Sequence, residues 1–137
     1  MSLTDNKAVY CRWIDEVFGK GLVEVADELH AEDYVDHSGL PGVPPTTAGL
    51  KQFVNGLHVT FPDVVFTIEQ VIAEDDRVMG YWTMRGTQCG AFLQFPPTGR
   101  SVTMAGIDLV RIANGRIAEV WHLADTAGLV RQLTAPE

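Results

Sequence analysis

The chain has 137 residues, 46% of them hydrophobic and 20% charged, with 10 basic against 18 acidic side chains and a net charge of −8. That length suits a single domain over residues 1–137, and that composition excludes a disordered chain. The acidic balance repels phosphate backbones and anionic lipid, which sets nucleic-acid and membrane-surface roles aside, and no apolar run approaches the roughly 20 residues that span a bilayer.

No charged-then-apolar start reads as a signal peptide, and Met1-Ser2-Leu3 has the look of an expression remnant. Cys11 and Cys89 are too few and too far apart for a disulfide scaffold or a thiolate metal site, so a reducing cytoplasm is expected. In chain order, Val9, Tyr10, Trp13, Ile14, Val17 and Phe18 form one wide apolar helical stripe, stopped by Gly19 and Gly21. Leu22, Val25, Ala26 and Leu29 form a second short stripe, predicting a helical hairpin. Residues 38–49 hold three Pro and three Gly and read as loop. Thr46 or Thr47 caps a third helix bearing Leu50, Phe53, Val54, Leu57 and Phe61, which Pro62 ends.

Beyond Pro62 the period changes from 3.6 to 2. Val64–Ala73 is rich in strand formers, and Asp75-Asp76 turns the chain into a second strand over Arg77–Gln88. Ala91–Phe95 reads as a shorter strand, Pro96–Gly99 as a turn, and Ser101–Ile112 as a long strand. Asn114-Gly115 signals a hairpin into Arg116–Ala124, and Asp125 caps a last helix carrying Leu129, Val130 and Leu133. Helices followed by an antiparallel meander make an α+β domain. A curved sheet wrapped on three N-terminal helices is a cone, and its mouth is a natural pocket.

Tyr34-Val35-Asp36-His37, Phe61-Pro62-Asp63, Arg85-Gly86-Thr87, Pro96–Arg100, Arg111–Ile117 and Asp125–Leu133 stand collinear over residues 8–133. Together they resemble the SnoaL-like polyketide cyclase family of the nuclear transport factor 2-like superfamily. The resemblance implies a cone-shaped fold, a strongly curved and mainly antiparallel sheet, an apolar pocket, and a homodimer formed through the sheet. It also implies acid–base chemistry on a small hydrophobic carbonyl compound, an intramolecular aldol closure needing no metal or organic cofactor. The family's pattern has a His on the strand before the hairpin and an Asp on the strand after it. Here those places hold Asp108 and His122, the same residue types exchanged, and Gln88 stands where a His often follows Gly-Thr.

Asp108 lies in an otherwise apolar strand, where a carboxylate needs hydrogen-bond partners. Whether it meets His122 depends on hairpin parity. A two-residue Asn114-Gly115 turn sets Asp108 across from Trp121. A three-residue loop, Ala113-Asn114-Gly115, puts Asp108 and His122 on one face, and we expect that register. The pair is then a candidate catalytic dyad, one member moving the proton and the other orienting it. His37, Tyr10, Trp13, Phe53, Leu57, Trp82 and Met104 are the candidate substrate-binding residues, although each aromatic or aliphatic one also suits a plain core position. His30, Asp33, Asp36 and His37 look like metal ligands by composition, but their spacing fits a solvated helix end better. A non-catalytic binding protein is the alternative function. An epoxide-hydrolase-like relative would need an Asp–Arg–Asp set drawn from Asp108, Arg85 and Asp36.

Overall fold

The computed structural model describes residues 2–136. The first apolar stripe becomes helix α1 (Leu3–Arg12), continued by π-helical turns over Trp13–Gly19. Ser2 starts it with a reciprocal cap: its hydroxyl accepts from the Asp5 amide while the Asp5 carboxylate accepts from the Ser2 amide. Helix α2 (Val25–Leu29) is short, and α3 (Thr47–Thr60) starts on a Thr46 side chain that accepts from the Gly49 amide. Strands β2 (Val65–Glu74), β3 (Arg77–Thr87), β4 (Ser101–Ala113) and β5 (Arg116–Ala124) form the meander, and Asp125 caps α4 (Thr126–Thr134).

Two expectations fail. Residues 30–36 are not a helix end but strand β1 (His30–Asp36), which runs parallel to β5 and gives the sheet the order β1-β5-β4-β3-β2. HAEDYVD carries no clean apolar alternation, because its strand character comes from β5 backbone groups and not from its own pattern. Ala91–Phe95 is not a strand either. Phe92 and Phe95 exchange backbone hydrogen bonds with each other, at 2.9 and 2.8 Å, so the chain doubles back within four residues.

The inner face of the curved sheet is set by alternation. Val78, Gly80, Trp82 and Met84 of β3 and Gly106, Asp108 and Val110 of β4 point inward, where Tyr10, Trp13, Ile14 and Val17 cover part of them. A second cluster, with Phe61, Trp82, Met84, Val102, Leu129 and Leu133, places α4 against the other end of the same face. Fully burying each large apolar side chain contributes about 1.5–3 kcal/mol, so these two clusters dominate the favourable term.

The hairpin register also departs from expectation, in an instructive way. Asn114 and Gly115 both have positive φ, 52° and 76°, and form a two-residue turn in which Ala113 pairs with Arg116. The register then slips between Arg111 and Ile112, with Ala118 as the extra residue on β5, so that Asp108 stands directly across from His122. The three-residue loop is therefore wrong, yet a bulge restores the parity it was meant to supply. The consecutive buried pair Ile117-Ala118 marks the place.

Two inward positions are glycines for a steric reason. A Cβ on Gly80 would run into the Tyr10 ring, and one on Gly106 would run into Trp82. Both rings need that space to lie across the sheet. Gly80→Ala should therefore destabilise the fold by about 1–3 kcal/mol in urea unfolding, as overpacking does; an unchanged midpoint would show that Tyr10 yields freely.

Candidate active site

The helices and the curved sheet enclose a cavity of about 270 Å³. Its wall includes Trp13, Phe53, Leu57, Trp82 and Met104, five of the residues expected to bind substrate, together with Asp108 and His122. Apart from a few polar side chains the wall is apolar. Asp108, from β4, is 5% exposed, and its Oδ2 accepts from the Tyr10 hydroxyl at 2.8 Å and from the Trp82 indole N–H at 3.0 Å. Gly80 pairs with Asp108 across the ladder and Gly106 pairs with Trp82, so the two glycines open the route for both donors.

Burial pushes the Asp108 carboxyl up to about 6, against the bonds from Tyr10 and Trp82 and the attraction of His122 that favour its charged form. Burial, then the Asp108 charge, in turn drive the Tyr10 hydroxyl far above its ordinary value, so it stays a donor. Both bonds go to Oδ2, which leaves Oδ1 as the carboxyl atom available to the cavity.

His122 does not take its orientation from Asp108. Its Nε2 lies 3.2 Å from Oδ2 of Asp36, whose Oδ1 accepts from the Ser38 amide at 2.9 Å. The hydrogen bond to Asp36 raises the His122 pKa above its usual 6.5 despite burial. For Asp36, burial alone would act upward, but the His122 and Ser38 bonds together hold it below the ordinary carboxylate value. The site thus has two centres: a carboxyl whose pKa burial raises, with aromatic donors, and an imidazole whose pKa a second carboxylate raises.

Two expected substrate contacts fall elsewhere. Tyr10 is fully buried behind Asp108 as its donor and is not part of the cavity wall. His37 follows inward-facing Asp36 by one residue and so points to the opposite side of the sheet. There it stacks on Trp121 with ring centroids 4.7 Å apart and meets Glu119 at 3.0 Å. Arg85 is on that outer face too, so the Asp–Arg–Asp set of an epoxide hydrolase is not assembled. His30 has both ring nitrogens engaged, Nε2 accepting from the Trp13 indole and Nδ1 facing the Thr47 hydroxyl, and burial lowers its pKa to about 4. Among the described residues, no three His, Cys, Asp or Glu side chains gather as metal ligands would.

Sequence reasoning missed Asp36 as the partner of His122, and Tyr34 in the wall. Reading Tyr34-Val35-Asp36-His37 as a strand would have found both, since alternation puts Tyr34 and Asp36 on one face.

The family model for SnoaL-like polyketide cyclase matches residues 8–133. This chain belongs to that family. A SnoaL-like relative, nogalonic acid methyl ester cyclase from Streptomyces nogalater, is 28% identical over 122 residues, covering 87% of this chain and 90% of the relative. The structure of IdmH from Streptomyces antibioticus is 29% identical, covers 97% of this chain and 99% of that one, and superposes with a TM-score of 0.79. TsrD from Streptomyces laurentii, at 24% identity and 99% coverage of both chains, shares the SnoaL-like fold with a TM-score of 0.89.

The buried Asp108 has a consequence for stability in this SnoaL-like fold. Below the ordinary value of 3.8 the group is protonated in folded and unfolded chains alike, and its contribution is fully present. As pH rises through about 6 the buried carboxyl must ionise, and that contribution is lost. Between about pH 4 and pH 7 the wild type should lose roughly 1–3 kcal/mol relative to Asp108→Asn, measured by urea unfolding. Parallel pH curves for the two proteins would contradict the raised pKa.

Proposed function

We propose that this SnoaL-like chain is a cofactor-independent enzyme that moves protons on a small hydrophobic carbonyl compound held in the cavity, with ring closure of the aldol type as its reaction. The observation that carries the reading is the pairing, on one apolar wall, of a carboxyl raised to about 6 with an imidazole whose pKa is raised by the hydrogen bond to its own carboxylate. Titratable groups whose environments set them to opposite duties are what acid–base catalysis at neutral pH needs.

In this mechanism Oδ1 of Asp108 takes a proton from the carbon next to the substrate carbonyl. The His122 imidazolium, steadied by Asp36, stabilises the negative charge that gathers on oxygen. The enolate carbon then attacks a second carbonyl of the same molecule, forming a carbon–carbon bond and an alkoxide. The protonated Asp108 returns its proton to that alkoxide, and the enzyme regains its starting state. Tyr10 and Trp82 keep Asp108 in place throughout, and the aromatic wall excludes water. The likeness to nogalonic acid methyl ester cyclase supports a polyketide substrate. The acidic composition with only two cysteines supports a cytoplasmic setting for a single domain spanning 1–137.

Proton abstraction can be followed without the natural substrate, as deuterium uptake from heavy water at the carbon beside the carbonyl of 1-tetralone, read by NMR. Asp108→Asn should slow the exchange by roughly 10²–10⁴-fold. The rate should climb as pH passes about 6, where Asp108 ionises, and fall at higher pH as His122 loses its proton. Asp36→Asn removes what raises the His122 pKa, so the alkaline limb should move to lower pH. Exchange that is unaffected by Asp108→Asn favours the binding-protein alternative.

The same reading includes a homodimer. Ile72, Met79, Tyr81 and Ile107 form a contiguous, partly exposed apolar patch on the outer face of β2, β3 and β4, which supports a second copy as its cover. Tyr81→Glu should then convert dimer to monomer in sedimentation velocity, whereas a wild type that sediments as a monomer would remove the proposal.

A further inference from the structure

The segment joining β3 to β4 is a strap fixed at several points. The Cys89 and Gly90 amides donate to the Thr60 carbonyl at 2.8 and 3.2 Å, and the Thr60 hydroxyl donates to the Ala91 carbonyl at 3.1 Å. Gln88, fully buried, grips the return limb. Its Oε1 accepts from the Thr98 amide and hydroxyl at 3.0 and 2.6 Å, and its Nε2 donates to the Pro96 carbonyl at 3.2 Å. Position 88 therefore holds the strap and is occupied by backbone and hydroxyl partners rather than by the cavity.

At the tip of this rigid strap sits Leu93, which combines two unfavourable features. Its φ is +52°, a left-handed conformation that costs a β-carbon-bearing residue roughly 1–2 kcal/mol. Its side chain is 60% exposed, so the strain is not compensated by burial in a core. Glycine or asparagine would be the easier residue there. Yet Leu93 is part of the cavity wall, as are its neighbour Phe92 and two leucines of other segments, Leu40 and Leu123, which are themselves 53% and 80% exposed. Strain kept in an over-determined segment at a cavity rim is the signature of a contact made with something else.

We propose that Leu93 is a specificity-determining residue that meets the distal apolar end of a ligand longer than the cavity, with the strap clasped by Gln88 holding it at a fixed distance from Asp108. This rests on the cavity being the ligand site, as in the function proposed above. Leu93 would then discriminate among ligands by length, while the groups at Asp108 act on the near end. The ligand class is an aromatic ketone with its carbonyl at one end and fused apolar rings extending to the rim.

The test compares wild type, Leu93→Asn and Leu93→Gly with 1-indanone, 1-tetralone and 3,4-dihydroanthracen-1(2H)-one, a linear tricycle with its carbonyl on a terminal ring, in order of increasing length. Binding is read by quenching of the cavity-wall tryptophans, and thermal midpoints are recorded alongside. Both substitutions suit a left-handed backbone, so neither midpoint should fall below that of the wild type. Dihydroanthracenone affinity should drop roughly 5- to 20-fold in both variants, as loss of one leucine contact implies, while 1-indanone affinity stays within about twofold. Equal dihydroanthracenone affinity in all three proteins overturns the role of Leu93 and leaves the proposed function standing. A lowered midpoint with equal affinity makes Leu93 structural and overturns it as well. Failure of the wild type to bind any of the three overturns the cavity reading and this inference together.

Discussion

A carboxyl group placed on the floor of an apolar cavity must be supplied with hydrogen-bond donors by the fold itself, because water cannot serve it there. At Asp108 that supply fixes much else. Tyr10 must reach it from α1 and Trp82 from β3, both rings must lie flat on the sheet, and the sheet must carry glycine at positions 80 and 106 to let them. The packing of the first helix on the sheet and the chemistry of the cavity therefore share the same contacts. A change that loosens the helix also removes a donor from the carboxyl.

The second centre is built differently. His122 is held by Asp36, which comes from the edge strand β1, whose one strand neighbour is β5. Asp108 sits on a central strand flanked on both sides by hydrogen-bonded neighbours. The two centres thus differ in setting: one is packed among aromatic donors on the central strand, the other lies at the edge of the sheet. Burial raises the first pKa, and the hydrogen bond to Asp36 raises the second, so they also respond differently to anything that admits water.

Much of the fold was legible because its elements carry their own periodicity. The stripe from Val9 to Phe18, the strand formers after Pro62 and the caps at Thr46 and Asp125 all follow from local rules, and the structure keeps them. Strand β1 was not legible, since its acidic sequence acquires strand geometry only by docking on β5, and Asp36 was hidden with it. The segment around Phe92 misled for the opposite reason: its aromatic residues suit a strand, but Phe92 lines the cavity from a turn. In the site, Asp108 and His122 could be singled out as polar residues in apolar strands. Their separate partners could not, because Tyr10, Trp82 and Asp36 lie 98, 26 and 86 residues away from the groups they touch.

The extra residue at Ala118 carries an implication for how this chain tolerates inheritance of small errors. Between the hairpin turn and the strand end, it alone determines whether β5 offers the cavity an imidazole or the neighbouring indole of Trp121. Loss of that one codon would close the bulge and leave Glu119 opposite Arg111 and His122 opposite Asp108, whereas a ladder that admitted Ala118 opposite Arg111 would reverse inside and outside for every residue from Glu119 onward. The strand can therefore absorb the loss of that residue by closing its bulge, while a slip of the ladder that admits Ala118 acts as a switch.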